Sequence, residues 1–154
     1  MPVPHPTKTP QEQLVEALNT KYRVKLTTAQ VKFGIPELLF AEVEDISNPL
    51  IRNSSVEITN SLGEPYEFAT VLHFNRLSLA SLFESRNKTF SGVVDHTHDL
   101  LPAISNRLGF PVSADDIVGH PIDTFMGYPL NVLLFATNRS LLLYGQIEVT
   151  LSGP

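Results

Sequence analysis

Apolar residues recur along this chain with two different periods. At Leu14, Val15, Leu18 and Tyr22 the spacing is that of one helical face, set against polar Gln13, Glu16, Asn19 and Lys21. Thr9-Pro10-Gln11-Glu12 leads into it with a capping hydroxyl, a proline at the first helical position and the acid of a capping box. A helix is therefore predicted over about 10–21. The period then falls to two. Val31, Phe33 and Ile35 alternate with Gln30 and Lys32 up to Gly34 and Pro36, as a half-buried strand does. Val56 and Ile58 alternate with Ser55, Glu57 and Thr59; after turn chemistry at Ser61–Pro65, the segment Phe68–Asn75 resumes. A hairpin over 54–75 with a loop of four to six residues is expected, and 36–50 reads as a surface excursion.

The second half carries shorter signals. Ser78 can cap a helical piece over 78–84, and Asp99, Pro102 and Gly109 mark the start and stop of one over 99–108. Ser113-Ala114-Asp115-Asp116 resembles a capping box for a turn of helix over 114–118. Two apolar strands follow, at about 130–137 and 141–151, joined at Thr137–Ser140, with Ile147, Val149 and Leu151 on one face of the second. Strand and helix do not alternate regularly, so the expected class is α+β: one domain over 9–154, a mainly antiparallel sheet or sandwich with an N-terminal helix and short helices. Residues 1–8, with prolines at 2, 4 and 6, are expected to form an extended arm.

Charge changes this picture more than composition does. Only 18% of the 154 residues are charged, against roughly 25% in an ordinary domain. Between Ile117 and Gln146 only Asp123 and Arg139 are charged. A net charge of −5 argues against a nucleic-acid partner, which needs a basic stripe. The absence of cysteine excludes disulfides, thiolate metal sites and cysteine catalysis. The start of the chain lacks the basic and apolar regions of a signal peptide, and the apolar run Val132–Ala136 is too short for a membrane span. The chain reads as soluble and not secreted, with no membrane partner and no cofactor.

Asp95-His96-Thr97-His98-Asp99 is the densest polar cluster. Histidines at i, i+2 on an extended segment share a side, and His73, His120 or Asp116 could add a third metal ligand. A solvated loop in which Asp99 or Thr97 caps the following helix accounts for the same residues, and no metal is expected. Asp115 and Asp116 suit the free amides of a helix start better than acid–base catalysis. No Gly-x-Ser-x-Gly elbow and no phosphate-cradling glycine loop occur, so no enzyme is expected. The stretch from Leu130 to Tyr144 holds the apolar side chains Leu130, Leu133, Phe135, Leu141 and Leu143. It is either strand core buried on both faces or a surface buried by another subunit, strand addition included.

Five phrases carry a family resemblance: Val31-Lys32-Phe33-Gly34-Ile35-Pro36, Ile51–Thr59, Phe74–Phe83, Leu100–Asn106 and Asp115-Asp116-Ile117. Together they resemble a family of uncharacterised virion structural domains of large tailed bacteriophages, over roughly residues 14–151. Ser54 stands where that family more commonly has threonine, and Phe74 follows His73 where tyrosine is commoner. The resemblance implies a structural component of the neck, tail or baseplate, made in the host bacterial cytoplasm. Such a component packs with other copies of itself and with other virion proteins. Capsid decoration or a carbohydrate-binding module on the virion surface is the alternative. Within the phrases, Arg52, Asn53, Asn75 and Arg76 fall at strand ends. There an arginine fork can tie carbonyls or the Asp115–Asp116 carboxylates. The prolines of the arm (Pro2, Pro4, Pro6) and the apolar strands are the expected assembly contacts.

Overall fold

In the computed structural model, which describes residues 7–39, 52–60 and 69–154, the chain gathers into two units, Met1–Arg76 and Leu77–Pro154. No proline-, glycine- or charge-rich linker marks the boundary, which is why the sequence reads as continuous. The class is α+β. Most of the expected arm, most of the expected 36–50 excursion and the turn expected at Ser61–Pro65 lie outside the described residues.

The first unit opens with α1 (Pro10–Tyr22). Thr9 Oγ1 accepts the Glu12 amide at 3.2 Å, and Pro10 fills a position whose amide would have no helical partner. Leu14, Val15 and Leu18 are buried as the spacing predicts; Tyr22, in the last turn, is exposed. Its hydroxyl pairs with Thr70 Oγ1 at 2.8 Å, and that bond, first among the causes, lowers the phenol's pKa from its ordinary value. The helix stops at Arg23, which takes a left-handed conformation (φ 54°) usually left to glycine.

Two short segments and two longer strands make the sheet of this unit. The central strand β3 (Ser54–Asn60) pairs antiparallel with β1 (Val31–Phe33) and β2 (Glu37–Leu38) along one edge and with β4 (Ala69–Phe74) along the other. The expected hairpin is present, in the register Ser54 with Phe74 and Thr59 with Ala69. Ile35 is not part of the buried alternation. The first strand ends at Phe33, Gly34 donates to Glu57 O at 2.8 Å, and Ile35 is exposed.

The second unit contains β5 (Leu77–Ser78), α2 (Leu79–Leu82), β6 (Thr89–Ser91), α3 (Leu101–Leu108), β7 (Leu130–Phe135), β8 (Leu143–Tyr144) and β9 (Gln146–Gly153). Ser78 caps α2 by accepting the Ser81 amide. A 3-10 turn, Thr97–Leu100, precedes α3, and Gly109 (φ 83°) ends it in the left-handed conformation the sequence signalled. Residues 114–118 correct the expectation of a helix: Asp116 N returns to Ser113 O in a turn, and Ile117 forms a bridge to Ala136.

The three-stranded sheet runs β6-β9-β7. The antiparallel β7–β9 pair is the predicted C-terminal hairpin, but its connection is longer than Thr137–Ser140. Residues 136–145 intervene, and within them β8 pairs in parallel with β5. A second parallel pair, β6 with β9, makes this sheet mixed. Val132, Leu134, Val149 and Leu151 face a core shared with Phe83, Phe90, Ile104 and Ile117. Burial of about 1.5–3 kcal/mol per large apolar side chain makes this cluster the main stabilising term of the unit.

Candidate interaction surface

The residues singled out from the strand-end phrases come together in the first unit. Asn53 is buried at the start of β3, and its side-chain amide donates to Arg76 O while its Oδ1 accepts Arg76 N, both at 2.8 Å. One asparagine thus reproduces the paired bonds of a β-bridge, extending the β3–β4 ladder past Phe74. Asn75 Oδ1 takes the Asn53 amide at 3.0 Å. Arg76, only 6% exposed, sends Nε to Ser54 Oγ at 2.8 Å, and Ser54 Oγ donates onward to Asn53 Oδ1. Arg52 adjoins this node, half-buried.

Asp115 and Asp116 sit in a corresponding node of the second unit. Asp116 Oδ2 accepts the Ser113 amide at 3.0 Å, and Oδ1 accepts Ser140 Oγ at 2.7 Å. Ser140 Oγ in turn accepts the amides of Leu142 and Leu143 at 3.2 and 2.9 Å. Thr137 adds bonds from its amide to Asp116 O and from its hydroxyl to Asp115 O. Both oxygens of the Asp116 carboxylate are therefore engaged by serines.

The histidines are built into backbone. His96 caps the 3-10 turn, its Nδ1 accepting the His98 amide at 3.1 Å, and Asp99 Oδ2 returns to the amides of Asp95 and His96 at 3.1 and 3.0 Å. The pair is thus on a capped turn and not on an extended segment. His98 Nε2 donates to Ile117 O at 2.7 Å, and the two rings lie edge to face at 5.0 Å. They press on Gly119, where an added Cβ would fall 2.7 Å from His98 Cε1 and 3.0 Å from His96 Cε1. Thr97, fully buried, donates to Val118 O and accepts the His120 amide. Among the described residues, no group of three or more His, Asp or Glu side chains could hold a metal ion.

This histidine node holds segment 117–121 against the outer edge of β7. Val118 N donates to Phe135 O at 2.8 Å, and His120 Nε2 lies 3.3 Å from Leu133 O. At the opposite edge of the sheet, Arg107 Nη1 takes the carbonyls of Asn87 and Thr89 at 3.0 and 2.7 Å, with its guanidinium over the Phe90 ring. Both edges are covered, so strand addition is not what this sheet offers. β7 is not buried on both faces either. Val132 and Leu134 point inward, while Leu133 (43% exposed) and Phe135 (37%) point out, beside Glu148 and Gln146 of β9.

Of the other expected contacts, Leu130 is half-buried, and Leu141 and Leu143 are buried within the chain, unavailable to a partner. Pro2, Pro4 and Pro6 lie outside the described residues. The sequence reading missed the most exposed apolar pair, Phe125 (89%) and Met126 (86%). They crown a turn closed by Gly127 N to Thr124 O and by Phe125 N to Asp123 Oδ1. The Asp123–Gly127 turn spacing, within a nearly uncharged stretch, was the available signal.

An α+β chain with three polar nodes and, in its second unit, exposed apolar side chains within a charge-poor stretch is the class of protein these observations define. It belongs to a family of unknown function (DUF7941), whose model matches residues 4–154. No curated protein and no solved structure matches the chain. Among the described residues, no helix is long and apolar enough to cross a membrane.

Proposed function

We propose that this protein is a non-enzymatic structural component of a tailed-phage virion, of the neck, tail or baseplate, acting through multi-copy packing. The phage setting rests on the resemblance of the Val31–Pro36, Ile51–Thr59, Phe74–Phe83, Leu100–Asn106 and Asp115–Ile117 phrases. The packing role rests on one observation. Leu133, Phe135, Phe125 and Met126 are exposed in a region where Asp123 and Arg139 are the only charges from Ile117 to Gln146. Interface cores are depleted of charge in this way, and aromatic residues and methionine are enriched there. A bilayer or nucleic-acid surface would instead call for flanking lysine and arginine.

Light scattering on the purified chain tests the reading. A defined oligomer is expected, shifted toward monomer by L133S/F135S or by F125S/M126S with an unchanged melting temperature. A chain that stays monomeric at high concentration, alone and with its neighbouring virion proteins, overturns it.

A further inference from the structure

The four-stranded sheet of the first unit and the three-stranded sheet of the second differ at their edges. In the first unit β3 turns the carbonyls of Asn53 and Glu57 toward Leu39 and Gly34, so its odd-numbered residues face the β1–β2 side. Its even-numbered residues then face β4, in the pairs Ser54–Phe74, Val56–Leu72 and Ile58–Thr70. The alternation leaves Ala69, Val71 and His73 with their amides and carbonyls directed away from the sheet. Among the described residues nothing bonds to those groups, and β4 has β3 as its one strand neighbour. All three side chains are exposed, Val71 at 48%. A six-residue open edge without lysine, proline or bulge is a template for another strand.

The chain contains a segment whose chemistry fits such an edge. Prolines occupy positions 2, 4 and 6, and Val3 and His5 stand between them. In an extended strand, alternate residues direct their amides to the same side. Val3 and His5 therefore offer a complete bonding edge, while the opposite edge, made by the prolines, has no N–H at all. Such a strand can dock once and cannot be extended by a third. In an antiparallel pairing its prolines also fall on the face that carries Leu72 and Phe74, the buried face of the sheet.

We infer that residues 2–6 of a second copy add to β4 as an edge strand, with Val3 and His5 bonding to the outward groups of Val71 and His73. The inference rests on the multi-copy reading above and names where its arm docks. The prolines make each addition self-terminating, because the docked arm presents no N–H to a third strand.

The test uses the full chain. V71P removes an outward amide that the fold does not use, and V3P/H5P removes the arm's donors; each is expected to weaken self-association by about tenfold or more, as deletion of residues 2–6 does. P4V/P6V gives the arm a second bonding edge and is expected to yield larger species that grow with time. Hydrogen exchange should show the Val71 and His73 amides slow in the assembly and fast in the arm-deleted monomer, a readout that stands if V71P fails to fold. An assembly weakened by arm deletion but indifferent to V71P and V3P/H5P, with those amides fast throughout, overturns the inference and leaves the packing role intact. Slow amides in the arm-deleted monomer overturn it too, because the chain would then close its own edge. A wild-type chain that never assembles removes the packing role itself.

Discussion

Among the described residues, the first unit leaves β4 open along its outer edge, whereas the second has partners bonded at both edges of its three-stranded sheet. There Arg107 occupies the carbonyls beyond β6, and the Val118–His120 segment occupies those of β7. The two solutions follow from what each unit can spare. The second holds eleven of the twenty-seven charges, since sixteen fall within residues 1–76, and it exposes apolar groups on its sheet face. An open edge beside Leu133 and Phe135 would be a site of uncontrolled pairing. The first unit, richer in charge, can carry an open edge. In the proposed packing, the second unit would therefore contribute side chains and the first would contribute backbone.

Five substitutions test this contrast, beginning with the largest effect. Asn53→Ala removes the bridge to Arg76 and leaves buried amide and carbonyl groups without partners. It should cost about 2–4 kcal/mol in denaturant unfolding, with Arg76→Met destabilising in the same direction. An unchanged midpoint would mean that the node does not hold the β3–β4 end. Ser140→Ala is expected to cost about 1–3 kcal/mol, because it takes a donor from Asp116 and an acceptor from the amides of Leu142 and Leu143. Gly119→Ala drives a Cβ into His96 and His98 and should cost about 1–2 kcal/mol by overpacking. It should also quicken hydrogen exchange at Val118, the donor that covers β7. Protection equal to the parent's would separate the histidine node from that edge. Arg107→Met is expected to change stability by less than about 1 kcal/mol while bringing slow aggregation on standing. If the substituted chain stays as disperse as the parent, the guanidinium is not what protects β6.

Much of the fold was legible because it is encoded locally. Thr9 and Pro10 begin α1, Ser78 begins α2 and Gly109 ends α3, each through bonds or dihedrals made within a few residues. The alternation of Val56 with Ile58, and of Val149 with Leu151, marked the core faces of β3 and β9. The strand-end asparagines and Arg76 were also legible, through their phrases. Their partners lie some twenty residues apart in sequence, and no periodicity names them. The 114–118 segment carries helix-start chemistry, since an aspartate after a serine caps either structure, and here Ser140 and Thr137 decide for the turn.

By itself, the sequence determined the α+β class, the helix starts and stops, the inward faces of the strands and a nearly uncharged region over 117–146. Only the tertiary structure decided which sheet edges are covered, that Leu141 and Leu143 are buried while Phe125 and Met126 are not, and that two histidines are packed onto a glycine. The physical reason is range. Periodicity and capping are set by neighbours along the chain, whereas an edge is open or closed according to which distant segment reaches its carbonyls first.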